Sequence, residues 1–126
     1  DGERLLPGHA YIAPDGCHME VTVDRTITLR RTPPENGLRP SVAALFRSVA
    51  RVYGEKTVGV LLTGMGTDGA QELRLMKEQG AVTIVQDPES SVVHGMPGEA
   101  LKLGAAMYTL PPEAIVAVLK RLTMGK

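Results

Sequence analysis

Val58-Gly59-Val60-Leu61-Leu62-Thr63-Gly64-Met65-Gly66-Thr67-Asp68-Gly69 is the stretch that sets the fold class. Its first part is a short apolar run without polar alternation, the pattern of a strand buried on both faces of a parallel sheet. Its second part places Gly64, Gly66 and Gly69 around Asp68, just ahead of an apolar stripe formed by Ala70, Leu73 and Met76 at helical spacing. A buried strand that empties through a glycine turn into a helix is the repeating unit of open α/β sheets. In such sheets ligands and reacting groups gather beyond the carboxyl ends of the strands, and Asp68 would stand there.

Reading outward, helix and strand patterns alternate on both sides. Upstream, Val42, Leu45, Phe46 and Val49 recur at helical spacing, with Pro40 or Ser41 as a start and Gly54 as a cap. Downstream, Gly80 ends the helix that follows Asp68, residues 82–85 form another buried strand, and residues 97–103 form a short helix. A strand near 106–110 and a last helix after Pro111-Pro112 complete the series, with Ile115, Val118, Leu119 and Leu122 facing inward. Strands separated by helices pair in parallel, so the expected fold is a layered, mostly parallel, Rossmann-like α/β sheet flanked by helices. The first third differs. Met19, Val21 and Val23 alternate with polar residues, as do Ile27 and Leu29, which predicts an antiparallel hairpin joined at Asp24-Arg25. A short strand is expected over residues 9–13, ending at Pro14-Asp15-Gly16. The segment Thr32-Pro33-Pro34-Glu35-Asn36-Gly37 reads as a loop long enough to move.

Composition narrows the function. The 126 residues, 43% hydrophobic, suit one segment with one core and no second domain. Lys and Arg number 14 and so do Asp and Glu, which leaves no net field to hold nucleic acid or an anionic membrane surface. Cys17 is the only cysteine, so an internal disulfide is excluded and a reducing cytoplasm is the expected location. No apolar run approaches the roughly 20 residues needed to span a bilayer, and no His, Cys, Asp and Glu cluster has metal-ligand spacing. No metal or other cofactor is expected.

The turn around Asp68 admits three readings. Asp68 can be a helix N-cap, with Gln71 completing a near capping box. The glycines can cradle a phosphate on exposed N–H groups, although the three-glycine dinucleotide pattern and the Lys-Ser/Thr ending of a P-loop are both missing and Asp68 would repel an anion. Or the carboxylate serves in catalysis.

Several blocks, in order, resemble the catalytic domain of CheB-type chemotaxis protein-glutamate methylesterases. Leu6-Pro7-Gly8-His9-Ala10-Tyr11-Ile12-Ala13-Pro14 with Gly16 and His18 is similar to the family's PGxxYIAPxGxH stretch. Asn36-Gly37, Arg39-Pro40-Ser41-Val42 and Leu45-Phe46-Arg47-Ser48 resemble its RPSVxxLFxS helix start. Leu62 to Ala70 resembles its LTGMGxDGA turn, and Gln86-Asp87, Gly95-Met96-Pro97 and Glu99-Ala100 resemble its later QD and GMPxxA elements. The resemblance implies a Ser-His-Asp esterase acting on methylated chemoreceptor helices, with Asp68 as the aspartate, and with a regulatory receiver domain as a candidate partner in the full-length protein. It also implies Met65 as an oxyanion N–H donor, with Gly64 and Gly66 lining the site; Arg39 and Met96 are candidate substrate contacts. The family's nucleophile and histidine motifs are not in this sequence. The expectation is therefore the C-terminal part of a catalytic domain, residues 1–126, inactive alone and prone to self-association through exposed apolar surface and an unpaired edge. The alternative is a non-catalytic module of the same fold that docks on receptors or dimerises.

Other residues carry weaker signals. His18-Met19 lacks the proline of the family's histidine motif, so His18 is expected to be structural or at the surface. A triad of Ser90, His94 and Asp68 would lack a strained nucleophile elbow. Arg30, Arg31 and Arg39 around the proline-rich loop suit a solvated rim, or attraction of an acidic receptor segment. The methionines, Met96 among them, also suit ordinary packing. By the resemblance, Ala43 stands where the family often has aspartate, and Glu72 where it often has glycine.

Overall fold

A computed structural model describes residues 1–63, 68–91 and 95–124. The hairpin comprises β1 (His18–Val21) and β2 (Ile27–Arg30), antiparallel, with Val21 opposite Ile27 and His18 opposite Arg30. Then follow α1 (Val42–Tyr53), β3 (Val58–Leu61), α2 (Ala70–Glu78), β4 (Val82–Gln86), α3 (Gly95–Lys102), β5 (Tyr108–Leu110) and α4 (Pro112–Met124). β3, β4 and β5 form a parallel sheet in that order, with Val58 beside Val82 and Ile84 beside Tyr108.

The central strand β4 explains the layering. Thr83, Ile84 and Val85 are all fully buried, because a strand between two neighbours with helices packed against it has no wet face. Val85 joins Leu61, Ala70, Leu73, Met76 and Ala100 in one core, with Val42, Phe46 and Val49 of α1 packed against it. The stripe read from the sequence thus lies inside. α4 packs against β4 through its own apolar face, of which Ile115 is buried while Leu122 remains 36% exposed. Val118 and Leu119 are half-buried, so burial fades toward the end of that helix while the sequence periodicity continues.

Helix ends follow local chemistry. Ser41 caps α1 by accepting the Ala43 N–H, and Gly54, at φ 53°, ends the helix by donating to the Ala50 carbonyl. Gly59 allows α2 to approach β3: a Cβ there would stand 2.7 Å from Leu73 Cδ1 and 3.0 Å from the end of Met76.

Two N-terminal expectations differ from the structure. Residues 9–13 form no strand. Residues 2–5 instead run beside the start of β2, with Gly2 N–H donating to Ile27 O, Ile27 N–H to Glu3 O and Leu5 N–H to Arg25 O. Pro7 and Gly8, at φ 75°, then turn the chain away, and the Tyr11 hydroxyl closes the turn between Leu6 N–H and Arg4 O. Val23 lies in the hairpin turn rather than in β1, and is 78% exposed. That turn spans Thr22 to Thr26, with Arg25 at φ 61°, because Thr22 and Thr26 bond each other through backbone and hydroxyls.

Gly59→Ala should lower stability by about 1–3 kcal/mol through overpacking against Leu73 and Met76. Urea unfolding reads this as an earlier midpoint, and an unchanged midpoint would contradict the close approach of α2 to β3.

Candidate active site

Asp68 is 3% exposed. It does not cap its own helix: the N-cap of α2 is Gly69, in the left-handed region at φ 89°, with no side-chain bond. A Cβ at Gly69 would lie 2.4 Å from Val42 Cγ1, so the glycine lets the turn sit directly on the start of α1. The Asp68 carboxylate therefore reaches across to the other helix. Val42 N–H donates to Oδ2 at 2.6 Å, and Oδ1 accepts from the Ser41 hydroxyl at 2.6 Å, Asn36 Nδ2 at 2.9 Å and Ala43 N–H at 3.3 Å.

Each donor has a local cause. Val42 and Ala43 are the first residues of α1, whose N–H groups have no partner within the helix, and the positive end of its dipole favours an anion. Ser41 has extended backbone, φ −114° and ψ 137°, which turns its hydroxyl toward both Ala43 N–H and the carboxylate. Asn36, at φ 54°, is the first central residue of a two-residue turn with Gly37 at φ 77°, closed by reciprocal bonds between Glu35 and Leu38. The turn aims the Asn36 amide at Asp68. Among the described residues four donors fix the carboxylate, and three fall on Oδ1. Oδ2 takes one bond among the described residues, so one of its two lone pairs is open to a further donor.

The proline-rich loop is anchored along its length rather than free. Pro33 O accepts from His18 Nε2 at 2.9 Å, Asn36 holds Asp68, and Arg39 Nη1 donates to Thr32 O at 3.3 Å. Arg47 of α1 pairs with Glu35 at 2.7 Å and approaches Glu72 of α2 at 3.9 Å. The hydrogen bond to Glu35 holds the Arg47 guanidinium above its ordinary range. Glu72 thus sits beside a cation shared with the loop. Ala43 is buried, and its amide rather than a side chain serves the site.

His18 is fully buried. Its Nδ1 accepts the Ser41 N–H at 3.2 Å while Nε2 faces the Pro33 carbonyl. The histidine is buried and bonded rather than at the surface, and belongs to the shell behind Asp68.

The remaining candidates are placed as follows. Arg39 braces the loop two residues before Ser41. Met96 packs, partly buried, against the core. Gly64, Met65, Gly66 and His94 lie outside the described residues. The Ser90 hydroxyl donates to Asp87 Oδ1 and accepts from Gln86 Nε2, so it is engaged in its own turn. Gln86, 4% exposed, also accepts the Thr63 N–H at 2.7 Å and so ties the end of β3 to the turn after β4. A cleft of about 530 Å³ opens beside the Asp68 cradle, sharing Asn36 and Ala43 with it and edged by Glu35, Glu72 and Glu99. Among the described residues no group of three or more His, Cys, Asp and Glu side chains is placed to hold a metal, and no helix is long and apolar enough to cross a membrane. Sequence reasoning did not single out Asn36, Ser41 or Arg47 as site residues. Asn-Gly at a loop tip and serine at a helix start were the available signals.

Comparison with known proteins gives a consistent result. Residues 1–119 match the family model described as CheB methylesterase. A Geobacter metallireducens protein named protein-glutamate methylesterase/protein-glutamine glutaminase 4 is 69% identical over 100% of this chain and 37% of its own length. A Syntrophus aciditrophicus protein of the same name, numbered 1, is 61% identical over 96% of this chain and 35% of its own. The crystal structure of the Thermotoga maritima CheB methylesterase catalytic domain has a TM-score of 0.87 and 35% identity, covering 94% of this chain and 66% of that one. The chain thus spans little more than a third of the length of these curated relatives.

Ser41→Ala removes a donor to Asp68 and the N-cap of α1, and should destabilise the protein by about 1–2 kcal/mol. Asn36→Ala should cost less, because Asn36 is exposed and water can replace its amide. Urea midpoints for the two variants check the order, and a larger loss at Asn36 would contradict it.

Proposed function

The chain belongs to the CheB methylesterase family, and from that premise we propose that it supplies the aspartate of a Ser-His-Asp site hydrolysing glutamate methyl esters on chemoreceptors. The observation that carries this reading is the Asp68 carboxylate, buried, fixed by four donors among the described residues, only one of which falls on Oδ2. An aspartate in that state suits the third role of a triad. It holds an imidazole by its Nδ1–H and stabilises the imidazolium that forms when the ring takes a proton.

The serine and the histidine of the site lie on polypeptide outside this chain. The serine hydroxyl attacks the ester carbonyl while the imidazole accepts its proton. The tetrahedral intermediate collapses, the imidazolium returns the proton to the leaving oxygen, and methanol departs. Water, activated by the same imidazole, then cleaves the acyl-serine to release the glutamate carboxylate. Met65, flanked in sequence by Gly64 and Gly66, is assigned an oxyanion N–H on the family resemblance, since a backbone amide aimed at the developing oxyanion stabilises the transition state of acyl transfer. The relatives' names pair methylesterase with glutaminase. The same acyl-serine chemistry on a glutamine side chain would release ammonia in place of methanol.

The partners follow from the same reading: methylated chemoreceptor helices as substrate, Arg39 and Met96 near their path, and a receiver domain for regulation. β3 is an edge strand of the three-stranded sheet, and Leu62 beyond it is 51% exposed. An edge of this kind favours self-association of the isolated chain, which light scattering at dilute concentration tests: a stable monomer would contradict it.

In the intact protein, Asp68→Asn should lower kcat for methyl-ester hydrolysis by about 10⁴, as the same change does in a comparable triad. The 126-residue chain alone should show no turnover on methylated receptor. Near-normal activity of Asp68→Asn, or turnover by the chain alone that Asp68→Ala abolishes, would overturn the assignment.

A further inference from the structure

His18 lies outside the triad, yet its ring is bonded at both nitrogens by groups that dictate their roles. Ser41 N–H can only donate, so Nδ1 must be the acceptor. Pro33 has only its carbonyl to offer, so Nε2 must carry the hydrogen. The partners therefore define one neutral tautomer. Beyond it the bonds continue in line. The same Ser41 whose amide is held by His18 turns its hydroxyl onto Asp68 Oδ1 at 2.6 Å, and Val42, the next residue, donates to Oδ2 at 2.6 Å. His18, Ser41 and Asp68 are each at most 3% exposed, so water cannot substitute for any member.

We propose that His18 is a positioning residue for the reaction, acting through the Ser41 amide to fix the start of α1 and thereby the rotamer of Asp68. This rests on Asp68 being the triad aspartate. A ring placed only to fill space would not need a bare Nδ1, whereas the relay does. With Nδ1 removed as acceptor, the buried Ser41 amide loses its partner, residue 41 moves to regain one, and two of the four donors on the carboxylate, the Ser41 hydroxyl and the Val42 amide, move with it. The second tether, to Pro33, serves the loop that carries Asn36, a third donor.

The two nitrogens can be separated by substitution. In His18→Asn the amide oxygen takes the place of Nδ1 and keeps the bond to Ser41 but drops Pro33. In His18→Gln the amide nitrogen takes the place of Nε2 and keeps Pro33 but offers no acceptor at the Nδ1 position. In the intact protein, His18→Gln should lower kcat on methylated receptor about ten- to hundredfold with KM little changed, the mark of a misplaced reacting group. His18→Asn should recover most of that loss. Normal kcat in His18→Gln, or equal impairment of the two variants, would overturn the proposal. Imidazole ¹⁵N spectra of the unsubstituted intact protein decide the matter even where a variant fails to fold. They should show a bare Nδ1 and a protonated Nε2 at the assay pH, and the other tautomer or a doubly protonated ring would overturn it. Asp68→Asn in the same assay separates the two levels. Full activity there removes the triad role and the purpose of the relay together, while full activity in His18→Gln alone removes only the relay.

Discussion

The site depends on one contact, the Asp68 carboxylate seated on the first turn of α1. Two elements distant in sequence meet there, the glycine turn after β3 and the serine-led start of a helix 26 residues earlier. The contact answers two physical demands at once. The N–H groups at the start of α1 require acceptors, and a buried carboxylate requires donors. Each satisfies the other, so among the described residues the aspartate is held by N–H and O–H donors rather than by a cation. Gly69 makes the approach possible, since any side chain there would collide with Val42.

Around that contact the molecule is arranged as successive supports. The parallel sheet fixes where the turn emerges, because β3 is registered against β4 residue by residue and Gln86 secures Thr63 beyond its end. The hairpin and the proline-rich loop fix the other side, through His18 on Ser41 and Asn36 on the carboxylate. Arg47 ties that loop, by Glu35, to the helix whose N-terminus receives the anion. The orientation of Asp68 is therefore a property of the whole segment rather than of the turn alone. This suits the proposed role, in which the carboxylate holds an imidazole still.

Much of this was legible in the sequence, for reasons that can be named. The strand at β3, the 70, 73, 76 stripe of α2 and the Ser41 and Gly54 limits of α1 are local signals, and local signals survive folding, although β3 is not buried on both faces as its apolar run suggests: at the sheet edge Val58 and Val60 are only half-buried. The resemblance carried by the LTGMGxDGA turn and its companion blocks pointed to the family that the comparisons show. Hidden were the contacts between elements. Asp68 followed by Gln71 reads as a cap for its own helix, yet the left-handed Gly69 takes the cap position and frees the carboxylate for α1. Residues 9–13, just ahead of the Pro14-Asp15-Gly16 turn, read as a short strand, but Pro7, Gly8 and the Tyr11 hydroxyl turn them into a loop, while residues 2–5 run beside β2 instead. The loop at Pro33-Pro34 reads as free because its anchors, His18, Asp68 and Arg47, are all remote in sequence.

The central claim is that the open lone pair of Asp68 Oδ2 faces the imidazole of a catalytic histidine supplied from outside this chain. A crystal structure of the intact protein tests it most directly. The account predicts Asp68 still seated on Ser41 and Val42, with a histidine nitrogen within hydrogen-bond reach of Oδ2, about 2.6–3.2 Å. An Asp68 that keeps its cradle with no imidazole near it would contradict the claim and leave the carboxylate a helix cap.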